Sequence, residues 1–136
     1  MHTPEQLTIM VRHALIAAIW ASSDDNDEPL DDHCSVDDFH PSAIERMRAD
    51  CAAFLARAGG LMAQLQDTYG SHPDCGRVAP QYAAAGHDFW LTRNGHGCGF
   101  WDRDLPGTLG EELSKLAEAA GVLDVYIGDD AHLHFA

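Results

Sequence analysis

Basic residues are scarce in this 136-residue chain: eight Lys and Arg stand against 22 Asp and Glu, for a formal charge of −14. Lys115 is the only lysine, and Arg12, Arg46, Arg48, Arg57, Arg77, Arg93 and Arg103 are scattered rather than clustered. Affinity for a phosphate backbone rests on Lys and Arg that displace condensed counterions. Ordinary binding to DNA or RNA is therefore excluded, and an anionic membrane surface is disfavoured for the same reason. A basic protein or ribonucleoprotein partner is favoured, because opposite fields steer encounter.

Paired cysteine motifs are also missing. Cys34, Cys51, Cys75 and Cys98 are far apart, with no C-x-x-C, so zinc-ribbon and thioredoxin-like readings lose their main support and a disulfide framework is not expected. There is no long hydrophobic run: Leu7 to Trp20 is broken by Arg12 and His13, follows no basic segment and is too short to span a bilayer. The expectation is a protein of the host-cell cytoplasm. The acidic stretch lacks the glycine and the twelfth-position Glu of a calcium loop.

What is present is enough apolar sequence, 46% of residues, for one domain over residues 1–136 with its own core. Thr3-Pro4-Glu5-Gln6 predicts a capped helix start, and Leu7, Met10, Val11, Ala14, Leu15 and Ala18 give one buried face as far as Ala21. Residues 22–38 read as an acidic loop holding Asp24, Asp25, Asp27, Glu28, Asp31, Asp32, Asp37 and Asp38 without a Lys or Arg. A second helix starts near Pro41 or Ser42, with Ser42 to Glu45 as a capping box, and its stripe runs through Cys51 to about Asp67. Gly59-Gly60 falls within that stripe, and the phase survives it, so one long helix, bent or broken there, is expected. Arg77 to Ala85 suits a short helix.

His87 to Arg93 then reads as a strand, Asn94-Gly95 as a hairpin turn, and His96 to Asp102 as a weak, glycine-rich return strand. A third helix covers Leu109 to Ala120, with a capping box from Thr108 to Glu111 and Gly121 as its stop. Leu123, Val125 and Ile127 pair through a Gly128 to Ala131 turn with Leu133 and Phe135. The expected fold class is α+β: two N-terminal helices followed by β-β-α-β-β, a small antiparallel sheet with helices packed on one face.

The densest chemistry lies between residues 87 and 104. His87, Trp90, Arg93, His96, Trp101, Asp102 and Arg103 form an alternative ligand site, in which a tryptophan stacks on a base and an arginine holds a phosphate. Cys98 next to His96, with Asp102 nearby, imitates a nucleophile and its base, but a glycine-rich arm does not make them face each other. His132-x-His134 points two imidazoles to one side of a strand, a usable ligand geometry, although exposed strand histidines are commoner than ligands. No catalytic residue, cofactor or metal is assigned, and Arg93 and Arg103 are expected to balance Asp88, Asp102 and Asp104.

The string D-F-W-L-T-R-N-G-H-G-x-G-F-W-D-R from Asp88 to Arg103, followed by Tyr126-Ile127-Gly128-Asp129-Asp130, resembles a family of small proteins encoded by phages and prophages. The resemblance implies a phage-type protein and a position 98 that other small residues can fill. Together with charge, size and the missing catalytic motif, it leads to the expectation of a non-enzymatic inhibitor. Such a protein, of anti-CRISPR or antirestriction type, would meet a basic surface of a host defence complex and block nucleic-acid access by carboxylate mimicry. The carboxylates expected to carry this are Asp24, Asp25, Asp27, Glu28, Asp31, Asp32, Glu111, Glu112, Asp129 and Asp130. The alternatives are a nucleotide-sequestering protein, a small metal-dependent hydrolase built on residues 87–104, and a phage accessory protein.

Overall fold

The computed structural model describes residues 2–65, 80–96, 99–100, 105 and 107–136. Helix α1, Pro4–Trp20, opens with the expected reciprocal cap: the Thr3 hydroxyl accepts from the Gln6 N–H, and the Gln6 side chain accepts from the Thr3 N–H at 2.8 Å. It buries the predicted stripe from Met10 onward, with Leu7 half-buried, and also His13, Ala17 and Ile19. The wider face follows from its two neighbours, helix α2 (Pro41–Ala58) and helix α3 (Pro80–Arg93).

At the start of α2 the expected Ser42–Glu45 box is replaced by His40, whose ring accepts from the Ser42 N–H at 3.1 Å ahead of Pro41. Met47, Cys51, Phe54, Leu55 and Ala58 form its buried face. Gly59 then takes φ +52°, and the α-helix ends there. The chain continues as a 3₁₀ turn, Gly59–Leu65, that still buries Met62 and Leu65. The apolar phase therefore persists across the glycine pair while the α-helical hydrogen bonding does not. Gln66 and Asp67, where the stripe was expected to end, lie outside the described residues.

The largest departure is α3. The segment expected as a strand, His87 to Arg93, is the second half of this helix, which also takes in the described part of the helix expected up to Ala85. Tyr82, Ala83, Ala85, Gly86, Asp88, Phe89, Trp90, Leu91, Thr92 and Arg93 are all buried, so the helix is covered nearly all round and no amphipathic period marks it. Gly86 has a steric reason: a Cβ there would collide with the Met10 carbonyl oxygen of α1, so the two backbones cross in close contact.

Asn94-Gly95 is not a hairpin turn but the helix stop. Gly95 has φ +72°, its N–H donates to the Thr92 carbonyl at 3.1 Å, and the His96 N–H donates to the Leu91 carbonyl at 2.8 Å. That pair of bonds around a left-handed glycine is a Schellman cap. Gly99 is pressed against the Thr92 side chain, and the Phe100 N–H donates to Thr92 Oγ1.

Helix α4, Leu109–Glu118, ends before Gly121 at φ +83°, as expected. Thr108 makes no side-chain cap, its hydroxyl donating instead to the Glu112 carboxylate at 3.2 Å. The last hairpin forms as predicted: β1 (Val125–Ile127) pairs antiparallel with β2 (Leu133–Phe135). Phe135 packs on Phe39 and Trp90, with ring centroids 5.2 and 5.5 Å away. The described residues are thus four helices and one two-stranded antiparallel sheet, an α+β arrangement without the sheet strand expected over 87–93. Among them, no helix is long and apolar enough to cross a membrane.

Candidate interaction face

The acidic loop is built rather than slack. Asp24 Oδ1 accepts from the N–H groups of Asn26 and Glu28 at 2.8 and 3.0 Å, and the Asp24 N–H donates to the Glu28 carbonyl. Ser23 and Pro29 bridge across the loop's neck, and Leu30, 1% exposed, pins it to the core. Two short 3₁₀ turns follow, Leu30–Asp32 and Val36–Asp38, the second capped by Ser35, whose own N–H donates to Asp38 at 2.7 Å. Held this way, Asp25, Asp27, Glu28, Asp31 and Asp32 all remain exposed. Ligand atoms of Asp24, Glu28 and His33 also lie within 4.8 Å of one another, a set that a cation could use.

The loop's first half faces β1. Ser23, Asp24, Asp25, Asn26 and Leu30 enclose a hollow of about 430 Å³ with Val125, Tyr126 and Ile127. Tyr126 and Ile127 also border the surface formed by Gly128, Asp129, Asp130 and His134. Tyr126, 48% exposed, and Ile127, 44% exposed, leave opposite faces of β1, and the strand borders Asp24 and Asp25 at one hollow and Asp129 and Asp130 at the other. Exposed aromatic and aliphatic side chains next to carboxylates are features that protein-binding surfaces share.

The hairpin end of β1 is fixed by His134. Its ring stacks under Tyr126, and its Nε2 lies 3.0 Å from both oxygens of Asp130. The His134 contact, seconded by the His132 N–H, holds the Asp130 carboxyl below its ordinary pKa. A Cβ on Gly128 would sit 2.7 Å from the same ring, which explains the glycine in the Tyr126–Asp130 turn. His132 and His134 do point to one side: both meet the His40 ring, with centroids at 5.8 and 5.0 Å. His134 stacks on it and His132 meets it edge-on, and among the described residues they do not join a converging metal-ligand set.

The other predicted residues separate. Glu111 and Glu112 are exposed on the first turn of α4, whose packing partners are α2, α3 and the 3₁₀ turn 59–65. Asp31 lines a second hollow of about 500 Å³ together with Asp37, Arg12, Cys34, Trp20 and His87. Trp90 and Arg93, each 2% exposed, are core residues, which removes them from a base-stacking or phosphate-holding role. Arg93 pairs with Asp50. His96 is exposed beyond the helix cap, while Cys98, Trp101, Asp102, Arg103 and Asp104 lie outside the described residues. Cys51 is fully buried, and burial pushes its thiol pKa far up, so it is no nucleophile.

Sequence reasoning passed over Tyr126, Ile127 and Trp20 as surface residues. Trp20 carried a signal, since it falls off the phase of the α1 stripe and is 55% exposed. Ile127 carried none, because strand alternation places it with the inward residues Val125 and Leu123. No protein-family model, curated protein or solved structure matches the chain.

Proposed function

We propose that this protein is an acidic binding protein of phage type that inhibits a host nucleic-acid-handling defence complex, of CRISPR or restriction type, by covering a basic surface with carboxylates. One observation carries the reading: Asp24, Asp25, Asp129 and Asp130 border β1, which bears the exposed Tyr126 and Ile127, on a chain of charge −14. Carboxylates supply steering and register toward Lys and Arg, and burial of exposed Tyr126 or Ile127 area adds affinity. The test is a phage-plating assay in hosts with and without a given defence system, with the protein expressed in trans. Plating is expected to rise only where the defence is present, and nucleic-acid binding by the purified complex is expected to fall in a salt-sensitive way. Unchanged plating across a panel of such systems would overturn the proposal.

A second reading is a small-ligand binding protein. The hollow of about 500 Å³ with Trp20, Ile16, Ile19, Val36 and His87 on its wall favours it and moves the ligand site away from Trp90 and Arg93. Quenching of Trp20 fluorescence by a ligand panel, lost in Trp20→Phe, would select it.

A further inference from the structure

The two edges of the last hairpin are unequal. The outer edge of β2 is covered: Phe39 forms a parallel bridge with Leu133, and the His40 N–H donates to the Leu133 carbonyl at 3.0 Å. The outer edge of β1 is paired with no strand among the described residues, where the sheet order is simply β1-β2.

The ladder's phase shows which groups that edge presents. Asp124 and Ala136 exchange both backbone bonds, at 3.0 and 2.9 Å, and the Gly128 N–H donates to the His132 carbonyl at 2.8 Å. Antiparallel pairs alternate between bonded and non-bonded positions. Tyr126, opposite His134, shares the inward phase of Asp124 and Gly128. Val125 and Ile127 take the other phase, so their N–H and C=O groups point outward, toward the groove whose far wall is Ser23, Asp24, Asp25 and Asn26.

That groove joins a row of backbone donors and acceptors to a wall of negative charge. We infer that it docks an extended, Arg- or Lys-bearing segment of a partner protein, which adds as a third strand to β1 and directs basic side chains to Asp24 and Asp25. The inference rests on the basic-partner reading above and deepens it by naming the form of the partner's contact. Main-chain pairing along an open edge supplies affinity, and flanking groups supply selectivity. Charge selects the occupant. A second copy of this chain would bring acidic loop toward acidic loop, and a nucleic acid strand would bring phosphates.

The test uses the full chain, labelled with ¹⁵N, and two synthetic peptides on the order of eight residues, a usual strand length. Both alternate Arg with Val or Thr; one is methylated at alternate backbone nitrogens, which keeps its charge and removes its strand pairing. The parent peptide is expected to bind roughly tenfold more tightly than the methylated one, and only the parent slows amide exchange at Val125 and Ile127. Val125→Pro, which deletes an outward N–H and none of the inward ladder bonds, is expected to weaken the parent to the level of the methylated peptide. Asp25→Asn, which leaves the Asp24 hydrogen bonds of the loop in place, is expected to weaken both peptides alike.

Equal binding of the two peptides, without protection at Val125 and Ile127, would overturn strand addition and leave the basic-partner reading intact. Absence of binding by either peptide at low salt would overturn both. Self-association that protects the same two amides would overturn it in favour of a second copy as the occupant.

Discussion

Arg93 of α3 places a guanidinium nitrogen 2.9 Å from Asp50 of α2, and the same side chain donates to the carbonyls of Gly121 and Ala120, at 2.7 and 3.0 Å, beyond the end of α4. One planar, forked side chain thus joins three helices, a geometry that a lysine ammonium cannot reproduce. Burial works to lower the Arg93 pKa, and the Asp50 carboxylate opposes it.

Removing the counter-charge leaves a buried cation short of a partner. Asp50→Asn is expected to cost about 2–4 kcal/mol, and Arg93→Lys a comparable amount, both read from urea unfolding midpoints at neutral pH. A change below 0.5 kcal/mol, about the level of a surface substitution, would show that the pair is solvated and carries little.

Two glycines should respond in opposite directions. Gly86→Ala drives a methyl into the Met10 carbonyl and is expected to destabilise by about 1–3 kcal/mol, because the obstacle is backbone and cannot rotate away. At Gly60 nothing lies within 4 Å of an added Cβ, and Gly60→Ala should be neutral or stabilise by about 0.4–1 kcal/mol through the unfolded chain. Thermal unfolding of the two variants side by side checks the contrast.

The turn at Asp130 gives a pH signature with a defined sign. Its folded pKa is depressed by His134 first and the His132 N–H second. A depressed carboxyl contributes order that is fully present above its ordinary value of 3.8 and is lost as pH falls through the lower folded value. In a carbon-detected titration, Asp130 should therefore titrate below 3.8, and His134→Leu should bring it back toward that figure. An unmoved Asp130 in the variant would mean that the contact is not maintained in solution.

Neutralising Asp24, Asp25, Asp129 and Asp130 together should weaken binding to a basic target complex by roughly tenfold or more at low salt, with a shallower salt dependence. Glu111→Gln with Glu112→Gln should leave affinity within about twofold, since exposed charges far from a contact are screened. Equal losses from the two sets would point to net charge alone, with no localised face.

Much of the fold was legible where local chemistry and burial agree. The Thr3–Gln6 box, the stop at Gly121 and the pairing of Val125–Ile127 with Leu133–Phe135 all read correctly because each feature has one physical interpretation. Residues 87–95 have two. A buried helix contains apolar residues on every side, so Phe89-Trp90-Leu91 shows no helical period, and Asn-Gly serves a left-handed helix stop as well as a hairpin. The helix is settled by tertiary contact with α1 through Gly86, which no local pattern shows. The candidate face was half legible: its acids stand out in composition, but their division between two hollows depends on where Leu30 pins the loop.

The Phe39–Leu133 bridge ties together residues separated by most of the chain, and the hairpin it secures has only three residues in each strand. So short a hairpin is marginal alone, and closing so long a loop is entropically slow. The hairpin should consequently be assembled last, after α1 and α2 have brought Phe39 into position. The outward groups of Val125 and Ile127 then come into register only on a nearly finished molecule, so a nascent or partly unfolded chain, however acidic, has no ordered strand edge to offer.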